Sequence, residues 1–393
     1  MTTLSKYLIQ EKGFNAIAIE GDWPDAYIVH TYLQGDSALE SPLHALKEFK
    51  RFPSWMWRNT VVLNFVTWLK EYNDSIKEQK EKIGFYGLDL YSLHSSISAV
   101  IESLEKIDSE AAQRARERYH CFEAFGENSE TYAYETMLGI RSSCEQEVQE
   151  QFLELQSQVI EGMKTKNSAE FLYILQNARV VKNAEEYYRS LFLNRKNSSW
   201  NLRDGHMTET VELLSTYYDQ LLGRPSKIII WAHNSHIGDA RATEMKERGE
   251  YNIGQLIREK YGSQVFLLGF TTYTGTVTAA SNWGDSAEEK YVNSALPDSF
   301  EAMFHQAPYK QFFLSFAPHN KNINLLGKEP LLHRAIGVVY KPETERYSHY
   351  FYTHITQQYD AIIHLDRTTA LVPLEKTQKN PIEELPETFP FGI

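Results

Sequence analysis

Apolar and polar positions along this chain follow two rhythms. Residues 16–19 (AIAI) form a short unbroken apolar run after Gly13, the pattern of a buried strand behind a helix stop. Residues 83–86 (IGFY) repeat it after a helix predicted over 61–82, and a shorter helix is predicted over 4–11. Such alternation predicts a parallel sheet covered by helices. From 108 to 223 only the helical rhythm remains. Val148, Phe152, Leu155, Val159 and Met163 step by 4, 3, 4 and 4, one stripe of an amphipathic helix. Asn167 and Glu170 have the spacing of a capping box. Met207, Val211, Leu214, Tyr218 and Leu221 step by 4, 3, 4 and 3 before Gly223 and Pro225 stop the helix. Strand patterns return at 227–231, 265–269, 311–316, 335–340 and 361–365, and the Pro-rich residues from 380 read as a wrapping tail.

The expected fold is α/β, with a largely parallel or mixed central sheet flanked by helices and a helical insertion. Residues 1–105 would form the first part of the core. Residues 106–223 would form the insertion, and 224–393 the second part of the core with its tail.

Charge narrows the partners. The 393 residues carry 40 basic and 52 acidic side chains, a net −12, which repels phosphate backbones and anionic lipid. Neither nucleic acid nor membrane is an expected partner. Lys6, Glu11 and Lys12 break the apolar runs at the front, so neither a secretory leader nor a membrane span is expected there. Cys121 and Cys144 cannot build a disulfide framework, and read as reduced thiols in a cytoplasmic protein.

Three strand patterns run into polar clusters. The first leads to Glu20, Gly21, Asp22 and Trp23, the second to Gly87, Asp89 and Tyr91, the third to His233, Asn234, Ser235 and His236. Ligands of open parallel sheets bind beyond the carboxyl ends of strands, so Glu20, Asp89, His233 and His236 would share a crevice. A carboxylate facing an imidazole fixes its tautomer or raises its basicity, as acid–base hydrolysis requires. Structural readings compete: Asp22, Asp25 or Asp89 could cap helices, and two histidines three apart could satisfy a loop. No Gly-x-Ser-x-Gly elbow, HExxH, Walker loop or Rossmann fingerprint is present. Aromatic groups at Phe52, Trp55 and Trp57 and at Tyr347, Tyr350, Phe351 and Tyr352 read first as core, then as pocket lining.

The runs AIEGDWPD (18–25), FPSWMWRN (52–59), GFYGLDLYS (84–92), WNLRDGHM (200–207), WAHNSHIGDARATE (231–244) and GFTTYTGTVTAAS (269–281) together resemble the erythromycin esterase family. Within the family, the chain is more similar to widespread bacterial members, some labelled succinoglycan-biosynthesis-like, than to the resistance enzymes. The resemblance implies an α/β core with a helical insertion and hydrolysis of a small-molecule carboxylic ester. In the resistance members that ester is a macrolide lactone, opened by histidine-activated water. Glu20 matches the family's glutamate after its second strand, and His233 and His236 match its paired histidines; these are the expected catalytic residues. Asp89, Tyr91 and Asn234 are expected to bind substrate from their strand-end positions. The family pattern opens with Gly-Glu-x-x-His-Gly, whose histidine is taken as general base, and then an arginine-bearing helix. Neither occurs in these residues, and the first histidine is His30. The chain is therefore expected to start inside the pattern, with weakened hydrolysis and an unpaired apolar edge. No cofactor is expected. The alternatives are a pocket that binds a polyketide or sugar-like ligand without turnover, and a hydrolase using a divalent metal on His233, His236 and Glu20. Oligomeric state is left open by the sequence.

Overall fold

A computed structural model describes residues 1–126, 128–162, 168–192, 198–316, 326 and 328–375. Side chains of 158–162 and of 198 are outside the description. The chain forms two compact units, one of Met1–Phe49 with Phe65–Trp231, the other of Lys50–Asn64 with Ala232–Ile393.

The first unit holds a three-stranded parallel sheet. Its strands are β1 (Ala16–Asp22), β2 (Gly84–Asp89) and β3 (Ile228–Trp231), in the order β2-β1-β3. β1 is central, and Ala16, Ile17, Ala18 and Ile19 are fully buried, which is why this strand shows no alternation. The helix before it, Thr2–Lys12, ends at Gly13 in the left-handed region (φ 66°), a conformation that favours glycine. The helix predicted over 61–82 runs instead over Thr60–Ser75. Asn73, in its last turn, ties it to the start of β2: its amide donates to the carbonyl of Ile83 and accepts from the Ile83 N–H, each at 2.9 Å.

The helical stretch contains Ser109–Tyr119, Ser129–Met137, Glu145–Gly162, Ser168–Ser190 and Ser198–Leu222. Met207, Val211, Leu214 and Tyr218 of the last are buried, as their spacing predicts. Val148 and Leu155 are buried too, whereas the Val159 side chain, Met163, Asn167 and the tail from 380 lie outside the described residues. The expectation of two reduced thiols is corrected: Cys121 and Cys144 are joined as a disulfide with Cα atoms 5.9 Å apart. The helical stretch brings the two together across 23 positions, a proximity that spacing alone does not disclose.

The second unit holds two sheets. β4 (Leu268–Ala279), β5 (Glu288–Val292), β6 (Gln311–Ser315) and β9 (Ala361–Thr368) are arranged β5-β4-β9-β6, and β7 (Leu331–Arg334) pairs with β8 (Tyr350–Thr353). β4 and β9 are parallel, and the other pairs are antiparallel. The strand expected at 265–269 begins at Leu268 and runs on through a Thr-rich stretch that lacks an apolar signal but suits a pleated surface. The strand expected at 335–340 is displaced to Leu331–Arg334. Residues 336–340 cross Ala280 instead, through hydrogen bonds from the Ala280 N–H to Val338 and from the Tyr340 N–H to Ala280. Phe52 and Trp55 pack in a core with Ala280 and Val339. Of the second aromatic group, Tyr350 and Phe351 are buried but Tyr347 is 80% exposed. No helix among the described residues is long and apolar enough to cross a membrane.

Candidate functional site

β1 and β2 are parallel, so their carboxyl ends open at one edge of the sheet. Ile19 pairs with Gly87 and Asp22 with Asp89, three steps on β1 against two on β2. The one extra residue on β1 makes a bulge, in which Glu20 and Gly21 stand against Leu88 alone. Gly87 makes room for it. A Cβ at Gly87 would lie 2.3 Å from the Asp22 carbonyl oxygen and 2.4 Å from that of Gly21, both backbone atoms that cannot swing aside. Gly87→Ala is therefore expected to cost about 1–3 kcal/mol of stability. A urea midpoint equal to that of the parent protein would show that the bulge does not need the glycine.

Arg203, on the Ser198–Leu222 helix, ties this edge together. Its Nε donates to Asp89 Oδ1 at 2.9 Å, and its Nη2 donates to Asp89 Oδ2 at 2.7 Å and to Glu20 Oε1 at 3.0 Å. Asp89 is 1% exposed, whereas the Glu20 side chain keeps 20% of its surface. The guanidinium also lies 5.1 Å from the Tyr91 ring centre, a cation–π contact. Burial works against the charge of Arg203, but Asp89, Tyr91 and Glu20 outweigh it and hold the group well above its ordinary pKa. Tyr91 is fixed in turn: the Tyr188 hydroxyl donates to its carbonyl at 3.2 Å, and Tyr187 meets its ring edge-on at 5.4 Å.

Asp89 does not serve as a helix cap. The helix Leu93–Ile107 takes Ser92 as its N-cap residue, while the Asp89 carboxylate holds the arginine fork. Asp22 precedes the helix Trp23–Gln34 without a capping hydrogen bond from its side chain. His206, three residues after Arg203, accepts from the Asn183 amide at Nδ1 (2.9 Å), and burial lowers its pKa to about 3. His30 is likewise a buried neutral imidazole, stacked on Tyr86 and pushed down to about 3 by burial.

The paired histidines belong to the second unit, whose longer segment starts directly after β3. His233 caps the short helix Asn234–Ile237, with Nδ1 accepting from the Ser235 N–H at 3.2 Å and facing the Ser235 hydroxyl at 2.8 Å. Its Nε2 lies 3.1 Å from the Ile336 carbonyl. A backbone N–H can only donate and a carbonyl can only accept, so His233 is neutral with its proton on Nε2. Asn234 gives both amide atoms to β4, donating to the Phe270 carbonyl at 2.7 Å and accepting from the Phe270 N–H at 3.2 Å. A substrate would meet an amide already engaged on both sides. His236 is 3% exposed. Asn252 braces the loop by donating to the Ser235 carbonyl at 2.6 Å, while its own Oδ1 caps the helix Ile253–Tyr261.

Of the expected site residues, Glu20, Asp89 and Tyr91 thus converge on one arginine in the first unit, and His233, Asn234 and His236 sit together on one loop of the second. Arg203 is the residue that the sequence reading misses as part of the site. The signal was present: the stripe 207, 211, 214, 218 extended back by four lands on Arg203, a charge on a face that must be buried. Among the described residues no three His, Cys, Asp or Glu side chains are grouped to hold a metal ion.

A parallel sheet with a helical elaboration and a charged cluster at its strand ends defines an α/β protein with a polar strand-end site. The family profile described as Erythromycin esterase matches residues 9–368, and the chain belongs to that family. It is 22% identical to "Putative hydrolase YbfO" of Bacillus subtilis (strain 168), over 93% of this chain and 79% of that protein. Among solved structures, its fold is similar to a succinoglycan biosynthesis protein, at TM-score 0.71 and 21% identity, covering 95% of this chain and 84% of that one. It is also similar to a histidine-to-asparagine mutant of the erythromycin esterase EreC in its open conformation. There the TM-score is 0.58 and the identity 18%, covering 98% of this chain and 88% of that one. At these identities the structural likenesses speak for the fold alone.

Proposed function

We propose that this protein hydrolyses carboxylic esters with water as the attacking group, and that macrolide-type lactones are the first substrates to test. One observation carries the reading: a buried, permanently charged Arg203 fixes Glu20 at the end of two parallel strands while leaving its side chain 20% exposed. A carboxylate so held can orient a water molecule or take its proton, and the guanidinium supplies positive charge against a forming oxyanion. His233 and His236 are proposed as proton-transfer groups. For His233 this requires the Ser235 contacts at Nδ1 to open first.

The test is the rate of ring-opened acid formation from a macrolide, followed by mass spectrometry, for the parent protein and for Glu20→Gln and His236→Asn. Each variant should lose about 10²–10⁴-fold in kcat/KM while keeping its melting temperature. Variants as fast as the parent would sink the proposal. The engagement of both His233 ring nitrogens favours a second reading, binding of such a ligand without turnover. Saturable binding by calorimetry with no product formed would establish that reading in place of the first.

A further inference from the structure

We infer that the Cys121–Cys144 disulfide is a redox switch coupled to the Arg203 cluster. The inference goes beyond the hydrolase reading and does not depend on it. Cys144 is fully buried and immediately precedes the helix Glu145–Gly162, and Cys121, in the turn His120–Phe125, is only partly buried. The Cys144 N–H donates to the Tyr132 hydroxyl at 2.9 Å, and that hydroxyl donates to Glu185 Oε1 at 2.6 Å. Glu185 is 1% exposed and holds Arg189 Nε at 2.8 Å. Arg189 also reaches Glu145, the residue after Cys144, at 3.2 Å. The disulfide half-cystine is thereby anchored on the helix Ser168–Ser190 from two directions.

That helix also carries the site's support. Tyr187 and Tyr188, two and three residues beyond Glu185, are the groups that fix the ring and carbonyl of Tyr91, on which the Arg203 guanidinium rests. The path from sulfur to guanidinium therefore runs Cys144, Tyr132, Glu185, Tyr187 with Tyr188, Tyr91, Arg203, entirely within one compact unit. Packed paths of this kind carry coupling only when some element has two discrete states, and the S–S bond is such an element.

The chemistry needs a two-electron reductant, such as a dithiol. A dithiol's thiolate attacks the sulfur of Cys121, the less buried residue of the pair, the S–S bond breaks, and Cys144 leaves as a thiolate that takes up a proton. The second thiol of the dithiol then displaces Cys121 as a thiol, so two electrons pass to the protein and the reagent departs as a disulfide. With the bond open, the Cys144 end is released from its covalent tether, and the Tyr132–Glu185 anchor loosens with it.

Hydrogen exchange by mass spectrometry on the full chain, oxidised and phosphine-reduced, tests this. Thiol titration in denaturant should find no free thiol before reduction and two after. Peptides covering 85–92 and 180–190 should exchange at least about threefold faster once reduced, while β4 peptides keep their rates. A Cys121→Ser/Cys144→Ser variant should match the reduced protein; if that variant does not fold, the reduced parent protein decides alone. Two thiols titrating before reduction would overturn the inference. So would unchanged exchange at 85–92 after reduction, or an equal rise in β4, which would signal global loosening.

Discussion

Arg203→Leu is expected to lower the free energy of unfolding by about 3–5 kcal/mol, the usual cost of removing one partner from a buried ion pair. The cost arises from what is left behind. Asp89, 1% exposed, would keep a carboxylate whose two oxygens had both been on the guanidinium, and Glu20 would lose the same donor. Arg203→Lys should recover only part of the loss, because an ammonium cannot span both Asp89 oxygens as a planar fork does. Pairing Arg203→Leu with Asp89→Asn should restore stability relative to Arg203→Leu alone, since the stranded charge is then gone. Urea unfolding of the four proteins measures all of this. A midpoint for Arg203→Leu within error of the parent would show that the cluster is not a stabilising one.

Glu301 offers a test of similar size in the second unit. Its Oε1 lies 2.7 Å from His333 Nδ1 and accepts from the Arg334 N–H at 3.2 Å, and both Glu301 and His333 are fully buried. Burial pushes the Glu301 carboxyl upward, but the facing His333 and the N–H groups on the carboxylate outweigh it, so its pKa ends below the ordinary value. A carboxyl with a lowered folded-state pKa contributes stability above its unfolded value, about 4.3, and loses it as pH falls through the folded value. Glu301→Gln is therefore expected to cost about 3–5 kcal/mol at neutral pH. The gap between variant and parent should narrow progressively as pH falls below about 4.3. Melting curves from pH 7 to pH 3 supply the measurement, and a gap independent of pH would show that the carboxylate charge is not what matters.

The central strand, the helices around 145–222 and the strand-end clusters were legible because burial imposes a period on sequence. β1 is apolar at four successive positions since both its faces are covered, and the stripe 207–218 follows one helix face. What stayed hidden depends on partners far along the chain. β7 and β8 are four residues each, and their pairing is between segments separated by a connection, so neither carries a long pattern of its own. The pairing of Cys121 with Cys144 is a tertiary fact. The same holds for Arg203: WNLRDGHM was visible as a run, but only the fold shows that its arginine lies between Asp89 and Glu20.

The double hydrogen bond between Asn234 and Phe270 gives the histidine loop the standing of one more rung on β4. A side-chain amide here does what a neighbouring strand's peptide group would do, and it reads the phase of β4. Phe270 offers its N–H and C=O to Asn234, while the next residues pair with β9. Inserting or deleting one residue in β4 ahead of Phe270 would turn those groups to the opposite edge and leave the amide facing nothing. The position of His233 and His236 is thus indexed to strand register. Loop length could drift over time with little effect on the histidines, provided the count along β4 is kept.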